Sequence, residues 1–151
     1  MIPLGPKHAE YIAAHQEMWP EAMRDVSAEE WRADLAHGLS WGIERSGALV
    51  AWAIGVYESE PAVYLRDLAV LPEFQRQGLG RECFQGWLRE IAARKRFPYV
   101  VVEARFTSYP IVTDASLYDG HWTLGADKVL PDFFAEYGEK GDSHRVVLMR
   151  A

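Results

Sequence analysis

Leu68-Ala69-Val70-Leu71-Pro72-Glu73-Phe74-Gln75-Arg76-Gln77-Gly78-Leu79-Gly80 is the stretch on which the reading of this chain turns. Its first half closes the run Ala62–Leu71, whose Val, Leu and Tyr content reads as a β-strand. Beyond it, Leu79, Cys83, Trp87 and Ile91 recur every four residues, with Phe84, Leu88 and Ala92 widening the same apolar stripe. A strand, a tight glycine-containing turn and a helix beginning near Gly78 therefore follow one another. The first N–H groups of a helix lack intrahelical partners, and the helix dipole favours negative charge there. Glycines at 78 and 80 remove Cβ atoms that would hold a phosphate off that backbone. Arg76 and Arg81 place cations where the dipole prefers anions, so either an external anion or Glu73 and Glu82 must balance them. Arg94-Lys95-Arg96 is expected to fill the last turn, and Pro98 to forbid continuation.

Outward from this unit the order is mixed α and β. Met1–Leu4 reads as a short strand, and a helix is expected from about Lys7 to Met18. Ser27 and Glu30 have the spacing of a capping box, opening a second helix over Ser27–His37 that Gly38 ends. Ser40–Glu44 and Ala48–Tyr57 read as a hairpin around Arg45-Ser46-Gly47. Tyr99–Phe106 is a further strand and Tyr109–Tyr118 a short helix. Gly125–Phe134 and His144–Arg150 are expected to close the chain as a hairpin. The 151 residues contain no repeat or low-complexity linker, which predicts one α+β domain over residues 1–151.

Composition narrows the function. The chain is 49% hydrophobic and 25% charged, with six tryptophans and seven tyrosines, enough for a sizeable core or an aromatic cleft. A net charge of −6 argues against a nucleic-acid partner, which needs a basic face. It favours a cationic second substrate beside the anionic ligand of the loop. No apolar run approaches a bilayer span and the N-terminus lacks a signal-peptide pattern, so no membrane is expected and the cytoplasm is the expected compartment. The single cysteine, Cys83, falls on the apolar helix stripe and reads as core. No histidine spacing suggests a metal.

The order of elements and the Gln75–Gly80 loop resemble the GNAT superfamily of acetyl-CoA-dependent N-acetyltransferases, strongly over residues 62–103 and loosely elsewhere. Leu130-Pro131-Asp132-Phe133-Phe134, Gly141-Asp142 and Val146–Met149 resemble that family's closing hairpin. The resemblance implies a central mixed, mostly antiparallel sheet of six to seven strands flanked by helices. It implies that the backbone of Leu68, Ala69 and Val70 pairs with the pantetheine arm. The N–H groups of Arg76, Gln77, Gly78, Leu79, Gly80 and Arg81 would cradle the pyrophosphate, with Gln75 opening the motif. The fourth and fifth strands would splay between Asp67–Val70 and the end of Tyr99–Phe106, and an amide-bearing arm would satisfy the groups so exposed. Homodimers are common in such a family.

Direct attack of a primary amine on the acetyl thioester needs three things: a proton acceptor, an oxyanion donor and an acid for the leaving thiolate. The Val70 N–H is the expected oxyanion donor. Leu117-Tyr118 stands near the family's Leu-Tyr pair, which implies Tyr118 as the acid, although no Asn precedes it and Asp119-Gly120 departs from the pattern. Tyr137 is the alternative acid. Asp67 and Glu103 are carboxylates inside apolar strands, a placement that demands a partner or a task. As bases they compete with ion pairs: Asp67 with Arg66 or Arg105, Glu103 with Arg105 or a helix-end cation. His121 is a third candidate base.

The acceptor side should come from the N-terminal third, where Trp19, Trp31 and Trp41 line a cleft or simply fill core, and Glu17, Glu21 or Asp25 balance an amine. A binding module that senses acyl-CoA without turnover is the competing reading. A nucleotide loop is disfavoured by the missing Lys-Ser/Thr and by an incomplete Gly-x-Gly-x-x-Gly.

Overall fold

A computed structural model describes residues 1–15, 26–57, 61–105, 109–125 and 143–151. Its frame is a seven-stranded mixed sheet in the order β1-β2-β3-β4-β5-β7-β6. The strands are β1 (Ile2–Pro3), β2 (Trp41–Arg45), β3 (Ala48–Val56), β4 (Ala62–Val70), β5 (Tyr99–Arg105), β6 (Trp122–Gly125) and β7 (Ser143–Arg150). Helices α1 (Ala9–Ala14), α2 (Ala28–Leu35), α3 (Leu79–Ala93) and α4 (Tyr109–Val112) flank it. Every neighbouring pair is antiparallel except β4 and β5, which α3 connects as a parallel pair.

Local chemistry explains the elements. Ser27 Oγ accepts the Glu30 N–H at 3.1 Å while the Glu30 carboxylate accepts the Ser27 N–H at 2.8 Å, starting α2. Ser46 and Gly47 both have positive φ, 53° and 79°, the backbone that a two-residue hairpin turn requires between β2 and β3. α3 buries Leu79, Cys83, Phe84, Trp87, Leu88 and Ile91, and Trp87 Nε1–H donates to the Leu39 carbonyl at 2.8 Å. Trp52, Trp87, Phe84 and Phe97 are the largest fully buried side chains. Trp31 and Trp41 are buried as well, so of the two readings left open above, core holds for both. Trp19 lies outside the described residues.

Four expectations need correction. The helix expected over Lys7–Met18 is a 3-10 turn, Pro6–His8, followed by α1 ending at Ala14, and residues 16–18 lie outside the described part. Tyr109–Tyr118 is not one helix. Asp114 turns its carboxylate back to the Ser116 N–H at 3.0 Å and starts a separate 3-10 turn, Ala115–Leu117. The first strand of the closing hairpin begins at Trp122, because Asp119 and Gly120, with φ of 54° and 73°, turn the chain before it. Its register runs from Trp122↔Arg150 to Gly125↔Val147, whereas residues 126–142 of the expected hairpin lie outside the described part. Finally, α3 stops at Ala93, and the basic run beyond it docks on aromatic faces rather than on the helix end. Arg94 lies over Trp41 and Arg96 over Tyr57 and Phe97.

Candidate functional site

β4 and β5 pair only from Ala62↔Tyr99 to Leu65↔Val102. Beyond that point β4 stays with β3 as far as Ala51↔Val70, while β5 follows β7 to Arg105↔Ser143. The two strands therefore part, as the resemblance implied, and a gap opens along Asp67–Val70. A bulge accompanies the parting. Ile54 faces Asp67 and the next residue, Gly55, faces Leu65, so Arg66 is an extra residue on β4 with no cross-strand partner.

Backbone direction along the gap follows from one bond. The Leu71 N–H donates to the Val50 carbonyl at 2.9 Å, so Leu71 faces β3. In an antiparallel ladder neighbouring residues face opposite edges, so Val70 and Leu68 turn their N–H and C=O groups to the open side. Of the three residues expected to pair with an extended arm, Leu68 and Val70 face the open side, where the Leu68 N–H is drawn on by the Asp67 carboxyl, and Ala69 faces β3. Gln75 Nε2–H donates to the Val70 carbonyl at 3.0 Å, so the Gln75 side chain ties the loop to the strand end.

The loop itself alternates in hand. Arg76 and Gly78 have φ of 63° and 81°, with Gln77 between them on the negative side, the alternation that folds successive N–H groups into a concave nest. The first loop-to-helix bond is Glu82 N–H to the Gly78 carbonyl, and Gly78 supplies no side-chain cap. Among the described residues the N–H groups of Arg76, Gln77, Gly78, Leu79, Gly80 and Arg81 have no protein partner. The two glycines differ in purpose. A Cβ on Gly78 would meet open space, so glycine is needed there for its left-handed backbone. A Cβ on Gly80 would point at Ile111 Cδ1, 3.5 Å away, and Val70 Cγ2, at ordinary contact distances.

The charges near the loop are settled in part. Arg81 pairs with Asp114, and Glu82 with Arg45 at 3.6 Å, so neither of the carboxylates expected to neutralise the loop does so. Arg76 is exposed and has no partner among the described residues. Farther along α3, Arg89 and Gln85 both bind the Asp119 carboxylate. α3 is thus tied to the segment from Asp114 to Asp119 at both of its ends.

The three residues proposed for chemistry occupy different settings. Asp67 is buried, and its Oδ2 accepts the indole N–H of Trp52 at 2.9 Å. Its other oxygen, Oδ1, is buried with no hydrogen-bond partner among the described residues. Burial pushes this carboxyl up to about 6, against the Trp52 bond, the Arg66 charge and the Leu68 N–H, which pull it down. The expected ion pair with Arg66 is absent, because Arg66 Nε–H donates to Asp34 Oδ2 at 3.3 Å. Glu103 stands just past the last β4–β5 pair, and its Oε1 accepts from Nε of Arg145, its cross-strand neighbour, at 3.2 Å. The side chain of Arg105, one of the partners expected for Glu103, lies outside the described residues. Tyr118 is buried, and its hydroxyl donates to the Val112 carbonyl at 2.7 Å. Burial raises its phenol to about 12, helped by the negative charge of Asp114. His121 is exposed, and Tyr137 lies outside the described residues.

Sequence reasoning missed Trp52, Asp114, Arg145 and the bulge at Arg66. The hairpin register offered a signal for the first alone, since it sets Trp52 diagonal to Asp67 across β3 and β4.

Comparison with known proteins agrees with this geometry. The Acetyltransferase (GNAT) family profile matches residues 8–108. No functionally curated protein matches the chain. Among solved structures, the ribosomal-protein-S18-alanine N-acetyltransferase of Escherichia coli superposes with a TM-score of 0.64 at 17% identity, over 98% of this chain and 90% of that one. Diaminobutyrate acetyltransferase from Paenibacillus lautus, in complex with its substrate L-2,4-diaminobutyric acid and coenzyme A, gives 0.65 at 10% identity, over 98% and 92%. N-acetylglutamate synthase from Neisseria gonorrhoeae, complexed with coenzyme A and N-acetyl-glutamate, gives 0.68 at 18% identity over 95% of this chain and 32% of that one. With a β4 edge that parts from β5, an N–H nest at the start of α3 and a family match across most of its length, this chain belongs to the GNAT acetyltransferase family.

Proposed function

We propose that this protein transfers an acetyl group from acetyl-CoA directly to a primary amine. The observation that carries this reading is the run of unpartnered N–H groups from Arg76 to Arg81, set at the positive end of α3 beside the open edge of β4. Coenzyme A in two of the solved structures above supports the choice of donor. The nest takes the diphosphate, with Arg76 as its free cation. The outward Leu68 carbonyl takes the amide-bearing arm as an added strand would, which leaves the Val70 N–H for the reacting carbonyl. Val70 N–H then lies where the oxyanion of the tetrahedral intermediate needs a donor.

Asp67 is the proton acceptor in this scheme. A carboxyl that titrates near 6 is ionised at neutral pH yet basic enough to receive a proton, and its Oδ1 is uncommitted. Because Asp67 is buried, the proton reaches it through one intervening water. Glu103, held by Arg145, keeps the wall of the gap in register instead. Tyr118 remains the acid for the leaving thiolate and stays protonated to about pH 12.

One observation favours a second reading, a sensor that holds acyl-CoA without turnover: the Tyr118 hydroxyl already donates its hydrogen bond to the Val112 carbonyl. Thermal unfolding with and without acetyl-CoA, followed by CoA thiol release across a panel of amines, decides between the two. Stabilisation with amine-dependent release supports the transferase, stabilisation without release supports the sensor, and no stabilisation refutes both.

A further inference from the structure

Arg66 stands where β4 parts from β5. It is the first residue of β4 past the last pair with β5, Leu65↔Val102, and the extra residue of the bulge against β3. A bulge beside an opening re-aims the side chain it carries. Its guanidinium is held from two sides. Nε–H donates to Asp34 Oδ2 at 3.3 Å, and the guanidinium carbon lies 5.7 Å from the centre of the Trp31 ring, itself buried in α2.

These contacts use one edge and one face of the plane. The Nη groups have no partner among the described residues, and the side chain is 34% exposed. A surface arginine kept only for solubility would need neither the carboxylate nor the indole. A planar fork fixed through Nε and left open at its Nη edge is the form that receives an oxyanion bidentately.

We propose that Arg66 selects the acceptor by binding a carboxylate on it, so that the preferred substrate is an amine that also carries a carboxylate. This rests on the transferase reading above. The amine lies in the gap near Asp67 and Val70, and the carboxylate reaches back along β4 to Arg66. With a protein net charge of −6 and one fork at this position, the site suits a single carboxylate in a zwitterion and not a polyanion.

The test compares α- and ω-amino acids with the matched amines lacking the carboxylate and with aminoalkyl phosphates, following CoA thiol release. Wild type is expected to prefer the carboxylate-bearing member of each pair. Arg66→Ala should cut that preference about 10- to 100-fold, the worth of one charge-assisted contact, through KM and not kcat. Arg66→Lys should recover part of it, Arg66→Glu should reverse it towards diamines, and acetyl-CoA should still stabilise all three variants. Equal use of the matched amines by wild type, preference for the phosphates, or an unchanged preference in Arg66→Ala overturns the assignment of Arg66 alone. No release with any amine overturns the transferase reading and this assignment together.

Discussion

Trp52 and Asp67 meet across β3 and β4, the indole N–H donating to Oδ2 at 2.9 Å with both side chains buried. A neutral donor cannot repay an ionised carboxylate for its lost hydration, so Asp67 is kept near the edge of ionisation.

This pair makes stability depend on pH with a definite sign. The folded-state value is raised, from 3.8 to about 6, so the unfolded chain ionises first as pH rises. Stability attributable to Asp67 is therefore complete below about pH 4, falls by about 3 kcal/mol up to about pH 6, and stays lower above. Asp67→Asn should flatten that part of the profile in urea titrations at several pH values. It should also remove the limb of the pH–rate profile near pH 6. An unchanged slope in the variant contradicts the assignment.

Gly78 and Gly80 should respond oppositely to substitution. Gly78→Asp forces a side chain onto a backbone with φ of 81° and sets a carboxylate at the nest. We expect a loss of about 1–2 kcal/mol in stability and no stabilisation by acetyl-CoA. Gly78→Ala should show the strain with weakened binding. Gly80→Ala meets Ile111 at an ordinary distance, so it should keep both stability and binding. Stabilisation of Gly78→Asp by acetyl-CoA equal to wild type would remove the nest from the binding site.

Tyr118→Phe deletes a buried donor and leaves the Val112 carbonyl unsatisfied. The expected cost is about 1–2 kcal/mol. If the phenol also serves as acid, turnover should fall more than acetyl-CoA affinity does. Equal falls in both would confine Tyr118 to holding α4 against its following turn.

Glu103 and Arg145 have side chains only 12% and 17% exposed, so removing one leaves the other charged in a poorly hydrated place. Glu103→Ala should destabilise by the order of 3 kcal/mol, and Glu103→Ala with Arg145→Met should recover much of it. A double variant no more stable than the single one contradicts the pairing.

Features written in adjacent residues were legible in the sequence. The Ser27–Glu30 box, the Ser46-Gly47 turn and the strand, loop and helix around Gly78 each follow from neighbours a few positions apart. The parting of β4 and β5 was legible only through the family resemblance. Partners set by tertiary register were not legible. Glu103 and Arg145 are 42 positions apart, Arg81 and Asp114 33, and nothing local says which charge each will meet. The break at Asp114 was hidden for a different reason, since a side chain outcompeted a helical bond that periodicity alone would grant.

The parallel ladder from Ala62↔Tyr99 to Leu65↔Val102 is a short seam joining the half of the sheet built from β1–β4 to the half built from β5–β7. A ligand lodged where that seam ends would lengthen it, acting as a splice between two cooperative units. Amides of β5 and β7 should then exchange with deuterium more slowly once the splice is in place, even though few of them touch it. In such an architecture the substrate is also a structural member, and turnover periodically unfastens it.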